Sequence, residues 1–563
     1  MPKVLVLNLS RMGDLVQSVP FLAGLKRRTD APEVHLLVEK AFVPVARMLP
    51  FHDAVHELSL DEWLPPLHQA AQVSPPELYH LFEDRLRGLQ RESYDEVWNL
   101  THTRPSMILT RLLGGENGRG VTVDSRGFQM VRSPWLRYFF ATNLARPFCQ
   151  FNLVDIYAQC AGQVKEQNKL ELTPDTSAEA FADAFWSAQN LKQFEPVAFQ
   201  LGAAHPSKRW PVEHFRGLAE LIWGKLNRPV ILLGHKTEMA LAQPFTGMPG
   251  VRSLVGETSI PQLFSVLRRC AALVSNDTGT VHLAAAAGRP IIALTLGTAL
   301  GSETAPYGQG HIVVEPDVPC FPCSYHRQCA EMHCHDAAQI ETVFETLAWT
   351  LGGRNGRLRN ISSEARVYET AFNSQDRMLE LRPLEPSTPS LRDQLHGVVR
   401  PLWRRVLKAD GPYTAGQVLE SSPEVSRLRH LVERALPLVQ RALVEADKLQ
   451  SESRRQPLPV DNLWWSGQTL IQIDKALESV LDCRALLRTF WGFTALTKAS
   501  LESSLLEEQV NETRRAYADL EFLLQGLKDS LEPNHEDLLN HKDQSGKEKY
   551  YEGASEWTRD SGR

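Results

Sequence analysis

Residues 274–288, Val-Ser-Asn-Asp277-Thr278-Gly279-Thr280-Val-His282-Leu-Ala-Ala-Ala-Ala-Gly288, decide how this chain is read. The apolar run from Ala271 to Val274 reads as a buried parallel strand. It breaks at Asn276-Asp277-Thr278-Gly279 and restarts as an alanine-rich helix. A strand, a tight polar turn and a helix start together make an anion site. The first N–H groups of the helix have no intrahelical partner, and the helix dipole favours negative charge there. Gly279 lets a phosphate approach the backbone closely. Asp277 and Thr278 can cap the helix or reach a ligand. The same turn also reads as an ordinary capped strand-to-helix junction.

Outward from this turn the chain alternates short apolar strands with helical stretches, the pattern of parallel sheets covered on both faces. Val4–Asn8, Val34–Val38 and Val97–Leu100 read as strands of a first unit, with Leu15, Val19, Leu22 and Leu25 on one side of the helix after Gly13. Val197–Leu201, Val230–Leu233, Ala271–Val274 and Pro290–Leu294 repeat the pattern, and Ala337–Leu351 reads as a closing helix. We expect an α/β unit at 1–175, a second at 176–352, a linker at 353–389, a helical extension at 390–533 and a disordered tail at 534–563. In the extension, Leu470, Ile473, Leu477, Val480 and Leu481 share one helical face, and Leu520, Leu523, Leu524 and Leu527 another. Pro437 is expected to kink or interrupt its helix. Trp464, Trp465, Trp491 and Phe493 read as core or interface residues.

The net charge of −6 argues against a nucleic-acid binder held by bulk electrostatics. No run approaches the roughly 18–20 apolar residues of a membrane span, and the apolar start runs into Ser10-Arg11-Met12-Gly13-Asp14 without a cleavage site. A cytoplasmic protein follows. No Gly-x-Gly-x-x-Gly turn follows the first strand, which counts against a dinucleotide-dependent oxidoreductase.

Further motifs lie where other expected strands end. Asn8-Leu-Ser-Arg11-Met12-Gly13-Asp14 places a carboxylate where a helix begins. Gln200-Leu-Gly202-Ala-Ala-His205-Pro-Ser207-Lys208-Arg209-Trp210-Pro211 follows the first strand of the second unit. Gly234-His-Lys-Thr-Glu238 and Gly256-Glu-Thr258-Ser259-Ile-Pro are polar loops after later strands, and Thr258 and Ser259 can simply cap the next helix. Cys320, Cys323, Cys329 and Cys334 follow a C-x2-C-x5-C-x4-C spacing. Four such thiolates could hold a tetrahedral zinc or iron. A metal-free or disulfide-linked loop is the alternative.

Asp-Thr-Gly-x-x-His-Leu-Ala-Ala-Ala, with the Met-Gly-Asp turn and Lys-Arg-Trp-Pro, resembles glycosyltransferase family 9, the ADP-heptose:lipopolysaccharide heptosyltransferases. The resemblance covers about residues 1–352. It implies a GT-B architecture, two Rossmann-like domains facing across a cleft, here followed by an all-α extension. It implies an inverting transfer of a heptose or related sugar from a nucleotide-diphosphate donor, ADP-heptose, to a lipopolysaccharide core or other cell-surface acceptor at the inner face of the cytoplasmic membrane. Asp14 matches the family's general base. Lys208 matches its phosphate-contacting lysine. Gly13, Glu238 on the ribose, Thr258, Asp277, Thr278, Gly279, Thr280 and His282 match its nucleotide-sugar pocket. No cofactor is expected for the chemistry, and the cysteine loop is expected to hold a structural zinc or iron. The long extension departs from the family. It opens two alternatives: a protein acceptor, or a catalytically silent scaffold that binds a protein partner through its helices.

Overall fold

A computed structural model describes residues 1–59, 86–162, 168–324, 329, 331–385, 390–409, 418–501 and 505–532. The expected tail at 534–563 lies outside them. The first domain is a sheet of β1 (Lys3–Asn8), β2 (Glu33–Glu39), β3 (Ala54–Leu58), β4 (Glu96–Asn99), β5 (Gly118–Val123) and β6 (Gln129–Val131), in the order β3-β2-β1-β4-β5-β6. All neighbours are parallel except β5 and β6. The helices around it are α1 (Met12–Gln17), α2 (Val19–Lys26), α3 (Arg104–Gly114), α4 (Pro134–Asn143) and α5 (Leu153–Cys160), and α6 (Thr176–Ala188) leads onward. β1 is apolar without alternation because both of its faces are covered. Val4 and Val6 share one core with Leu15, Val19 and Leu22, whereas Leu5 and Leu7 share another with Leu37, Tyr94 and Val97.

The second domain is an eight-stranded sheet in the order β14-β13-β12-β11-β10-β7-β8-β9. Its strands are β7 (Val197–Gln200), β8 (Val230–Leu233), β9 (Val251–Ser253), β10 (Ala272–Asn276), β11 (Ile291–Leu294), β12 (Ile312–Pro316), β13 (Ala365–Phe372) and β14 (Leu379–Pro383). Its helices are α7 (Val212–Leu221), α8 (Ile260–Leu267), α9 (Gly279–Ala286), α10 (Gly301–Thr304) and α11 (Ile340–Leu351). The segment expected as a linker therefore contains the hairpin β13–β14, which extends this sheet antiparallel to β12. The Pro/Ser/Thr composition that suggested a linker begins only at Glu385.

The helical extension is α12 (Leu391–Val406), α13 (Pro423–Ser453), α14 (Val460–Leu481), α15 (Ala485–Ala499) and α16 (Leu506–Leu531). Pro437 does not interrupt α13, which runs on across it. The missing N–H is tolerated because Val432, Ala435, Leu436 and Val439 are buried around it, so tertiary packing outweighs the local penalty. The extension is no separate module. Trp403 of α12 is fully buried between Tyr138 of α4 and Phe490 and Phe493 of α15, with ring centroids 5.0, 5.4 and 5.3 Å away. Gly492 lets α15 lie against α4, since a Cβ there would come 3.0 Å from Leu144. Phe493 is core and Trp491 half-buried, whereas Trp464 and Trp465 are exposed. Among the described residues no helix is long and apolar enough to cross a membrane.

Candidate active site

The end of β10 is stitched to the loop after β7. Asn276 accepts a hydrogen bond from Trp210 N (2.9 Å) and donates to the carbonyl of Leu201 (2.8 Å). Trp210 is buried and donates its indole N–H to Ala338 O (2.7 Å), so Lys-Arg-Trp-Pro is anchored by its tryptophan. Lys208 then reaches Asp277 Oδ2 at 2.6 Å, and Thr304 of α10 donates to Asp277 Oδ1 at 3.1 Å. Burial pushes the Asp277 carboxyl up, but the Lys208 charge, with His282 and Thr304, outweighs it and holds the group below its ordinary value. Neither Asp277 nor Thr278 caps α9, as the sequence had allowed. Asp277 is turned to Lys208, and Thr278, the N-cap residue, makes no side-chain cap bond. The helix start is left without a side-chain cap.

The first domain meets this start directly. A Cβ on Gly13 would lie 3.0 Å from His282 Cδ2 and 3.3 Å from Gly279 Cα. A Cβ on Gly279 would lie 2.6 Å from Met12 Cε and 3.2 Å from Gly13 N. The two glycines let α1 and α9 touch across the domain boundary. Asp14, in the first turn of α1, accepts a bond from Ser10 Oγ (3.3 Å). Burial raises its carboxyl above the ordinary value, Arg11 and Ser10 oppose the rise, and Asp277 and Glu303 add to it. His282 is buried, and burial pushes its imidazole down to about 4, so the ring is neutral near pH 7. Its Nδ1 has no hydrogen-bond partner among the described residues.

Glu238 and Thr258 gather on neighbouring loops. Glu238 accepts from His235 N (2.9 Å) and Gln200 Nε2 (3.3 Å), and its carboxylate covers Gly202, where a Cβ would come 1.7 Å from Oε1. Gln200 also accepts from Thr280 Oγ1 (3.0 Å), so the Thr280 hydroxyl is turned inward and only its backbone remains for a ligand. The Thr258 loop packs on the Glu238 loop at Gly256, and Ser259 caps α8 reciprocally with Gln262.

The cysteine loop lies behind Lys208. Cys323 N donates to Gly297 O (2.8 Å), and His335 Nε2 lies 2.9 Å from Ser207 O. Burial pushes the Cys334 thiol up to about 11, and Cys323, Cys320 and Cys329 add to the rise, so the four sulfurs share one neighbourhood. They do not converge: among the described residues no group of three or more His, Cys, Asp or Glu side chains is placed to hold a metal ion. The donor chemistry suits zinc or iron, but the arrangement does not.

Several residues of the cleft escaped the sequence reading. Thr304 joins α10 to Asp277 within the second domain, and the buried ion pair Arg146–Glu303 (2.8 Å) ties α10 to the first. Asn8 is buried at the end of β1, and both its amide atoms are unpartnered among the described residues. His102 Nε2 is likewise unpartnered among the described residues, and burial and then Arg11 push its ring down to about 4. A buried polar side chain at a strand end was the available signal for Asn8. None marked the others. A cavity of about 1100 Å³ lies elsewhere, between the β13–β14 hairpin and α12.

The glycosyltransferase family 9 (heptosyltransferase) model matches residues 85–335. Lipopolysaccharide heptosyltransferase 1 of Pseudomonas aeruginosa is 25% identical over 323 residues, 57% of this chain and 86% of that protein. Lipopolysaccharide heptosyltransferase 2 of Salmonella typhimurium is 25% identical over 315 residues, 52% of this chain and 82% of that one. Among solved structures, Escherichia coli ADP-heptose lps heptosyltransferase II aligns with a TM-score of 0.46 at 18% identity, over 63% of this chain and 100% of that chain.

Proposed function

We propose, from the premise that this chain carries a glycosyltransferase family 9 domain and is a glycosyltransferase, that it moves a heptose from ADP-heptose to a lipopolysaccharide core acceptor with inversion at the anomeric carbon. The observation that carries this reading is the contact between the Gly13-Asp14 turn and the α9 start, which sets a carboxylate across from an uncapped helix N-terminus. An acceptor hydroxyl attacks the anomeric carbon from the face opposite the diphosphate. Asp14 takes the hydroxyl proton as the new bond forms, and its raised proton affinity suits that task. The transition state has oxocarbenium character, and charge grows on the departing diphosphate. Lys208 and the N–H groups of Gly279 and Thr280 offset that charge. Asp277 holds Lys208 in place, and neutral His282 offers a hydrogen bond beside the sugar. Glu238 and Thr258 line the nucleoside end.

No cofactor enters this chemistry. Among the described residues the four thiols of the cysteine loop are not placed to hold the expected zinc or iron, so no role rests on a metal there. The site of action is the cytoplasmic face of the membrane, reached by peripheral contact. Asp14→Asn tests the reading. It should leave ADP binding nearly intact and slow transfer by roughly two orders of magnitude or more. Near-normal transfer with the acceptor supplied would remove Asp14 from the mechanism.

A further inference from the structure

On the first domain, away from the cleft, three polar atoms form a closed triangle. His35 Nδ1 lies 2.9 Å from Tyr94 Oη, His56 Nε2 lies 3.1 Å from His35 Nδ1, and Tyr94 Oη lies 3.3 Å from His56 Nε2. The sheet register produces this. His56 pairs with Leu37, and His35 lies two residues before Leu37, so both imidazoles project from one face of the β2–β3 pair. Tyr94, just before β4, closes the triangle from the core that contains Leu5, Leu7 and Val97.

Hydrogen bonds alone cannot satisfy the three edges. His35 Nε2 lies 2.9 Å from Glu33 Oε1, which fixes the ring proton there and leaves Nδ1 as a lone pair aimed into the triangle. Tyr94 and His56 then supply one proton each for three edges, so one edge stays unbonded. A cation at the centre uses all three lone pairs at once. A tetrahedral ion with bonds of about 2.0–2.1 Å holds its ligand atoms about 3.3 Å apart, so the observed edges need to open by only a few tenths of an ångström. The Glu33–His35 pair is the carboxylate–histidine arrangement that orients a metal-ligating imidazole. Glu33 and Glu92 bear on Tyr94 and Glu92 on His56, whereas His35 and Lys3, the latter paired with Glu92 at 2.7 Å, act on His56 in the opposite sense. His35 and Tyr94 are buried, whereas His56 is half-buried and leaves a path for entry.

We infer that His35, His56 and Tyr94 form a binding site for one divalent transition-metal ion of the zinc class, with Glu33 as the positioning carboxylate and water in the fourth position. Two imidazoles and a phenolate suit zinc or copper(II) rather than calcium or magnesium. The ion enters as the phenol proton leaves to solvent. It braces edge strand β3 against β2 and the segment before β4. This site is independent of the cysteine loop, which belongs to the second domain, and of the proposed transfer reaction.

The test is zinc binding by equilibrium dialysis on the chelator-treated full chain, with proton release followed in weak buffer. Cys320→Ser/Cys323→Ser/Cys329→Ser/Cys334→Ser removes the competing thiols. In that background one zinc equivalent should remain. His56→Ala should weaken it by at least about 100-fold, and Glu33→Gln by about 10–100-fold. Tyr94→Phe should weaken it and abolish release of the phenol proton while preserving the fold by circular dichroism. In the native-cysteine chain, His56→Ala should lower the bound zinc by one equivalent, which keeps the test valid if the serine background misfolds. Zinc content unchanged by His56→Ala and Tyr94→Phe, or no zinc in a folded cysteine-substituted chain, overturns the assignment.

Discussion

At the scale of single residues, Lys208 and Asp277 have two separable duties. Both are largely buried, so removing one leaves the other's charge stranded. Lys208→Ala should cost about 3–5 kcal/mol in urea denaturation, the usual penalty for breaking a buried pair. Lys208→Ala/Asp277→Asn should recover much of that stability, because no unpaired charge is left. It should not recover affinity for ADP, since the lysine's contact is to the diphosphate. Calorimetry with ADP and adenosine completes the argument. A double variant that binds ADP as tightly as the parent would make Lys208 a structural residue only.

Among elements, the extension is helical, as expected. Its apolar stripes need partner surfaces, and they find them within this chain. Leu477, Leu481, Leu520, Leu523 and Leu527 are essentially fully buried, and α12 and α15 close over α4. The motive for a protein partner on these stripes is thereby removed. Trp403→Ala should destabilise the whole protein by about 3–5 kcal/mol, as other buried large-to-small aromatic changes do. A chain ending at residue 389 would expose Tyr138 and Phe151 and lose the bonds of His396 to Pro147 O and Arg400 to Gln150 O. Aggregation or loss of near-ultraviolet dichroism is expected. A soluble truncation with parental stability would show that α12–α16 only decorate the first domain.

Across the whole molecule, one buried carboxylate joins three parts of the chain. Asp155 of α5 accepts from Tyr307 of the second domain (2.5 Å) and from Leu379 N of β14 (2.9 Å). Burial pushes its carboxyl up to about 6, against Tyr307, Leu379 and Arg400, which pull it down. An acid whose folded value exceeds the unfolded value, about 3.9, favours the fold most below that unfolded value. The contribution is lost as pH rises through about 6. Asp155→Asn cannot titrate, so the stability difference between parent and variant should shift against the parent from about pH 4 to 6 and then level off. Thermal midpoints measured across that range decide it. A pH-independent difference would mean Asp155 titrates normally.

The sequence by itself determined the pieces whose signals are local. The apolar runs of β1, β2, β4, β7, β8, β10 and β11 were legible, because strands buried on both faces read as unbroken hydrophobic stretches. So were the Gly13-Asp14 turn, the Lys208 loop and the Asp277–His282 turn, because each sits where a strand ends and a helix begins. Only the tertiary structure decided what those pieces meet. Thr304 on Asp277, Arg146 on Glu303 and Gln200 between Thr280 and Glu238 are pairs distant in sequence, and no spacing encodes them. The β13–β14 hairpin stayed hidden because its strands border a linker-like composition and owe their place to backbone pairing with β12. The partners of the helical stripes were equally silent. A stripe records that an apolar face must be covered, and the covering surface is chosen by packing across the whole chain.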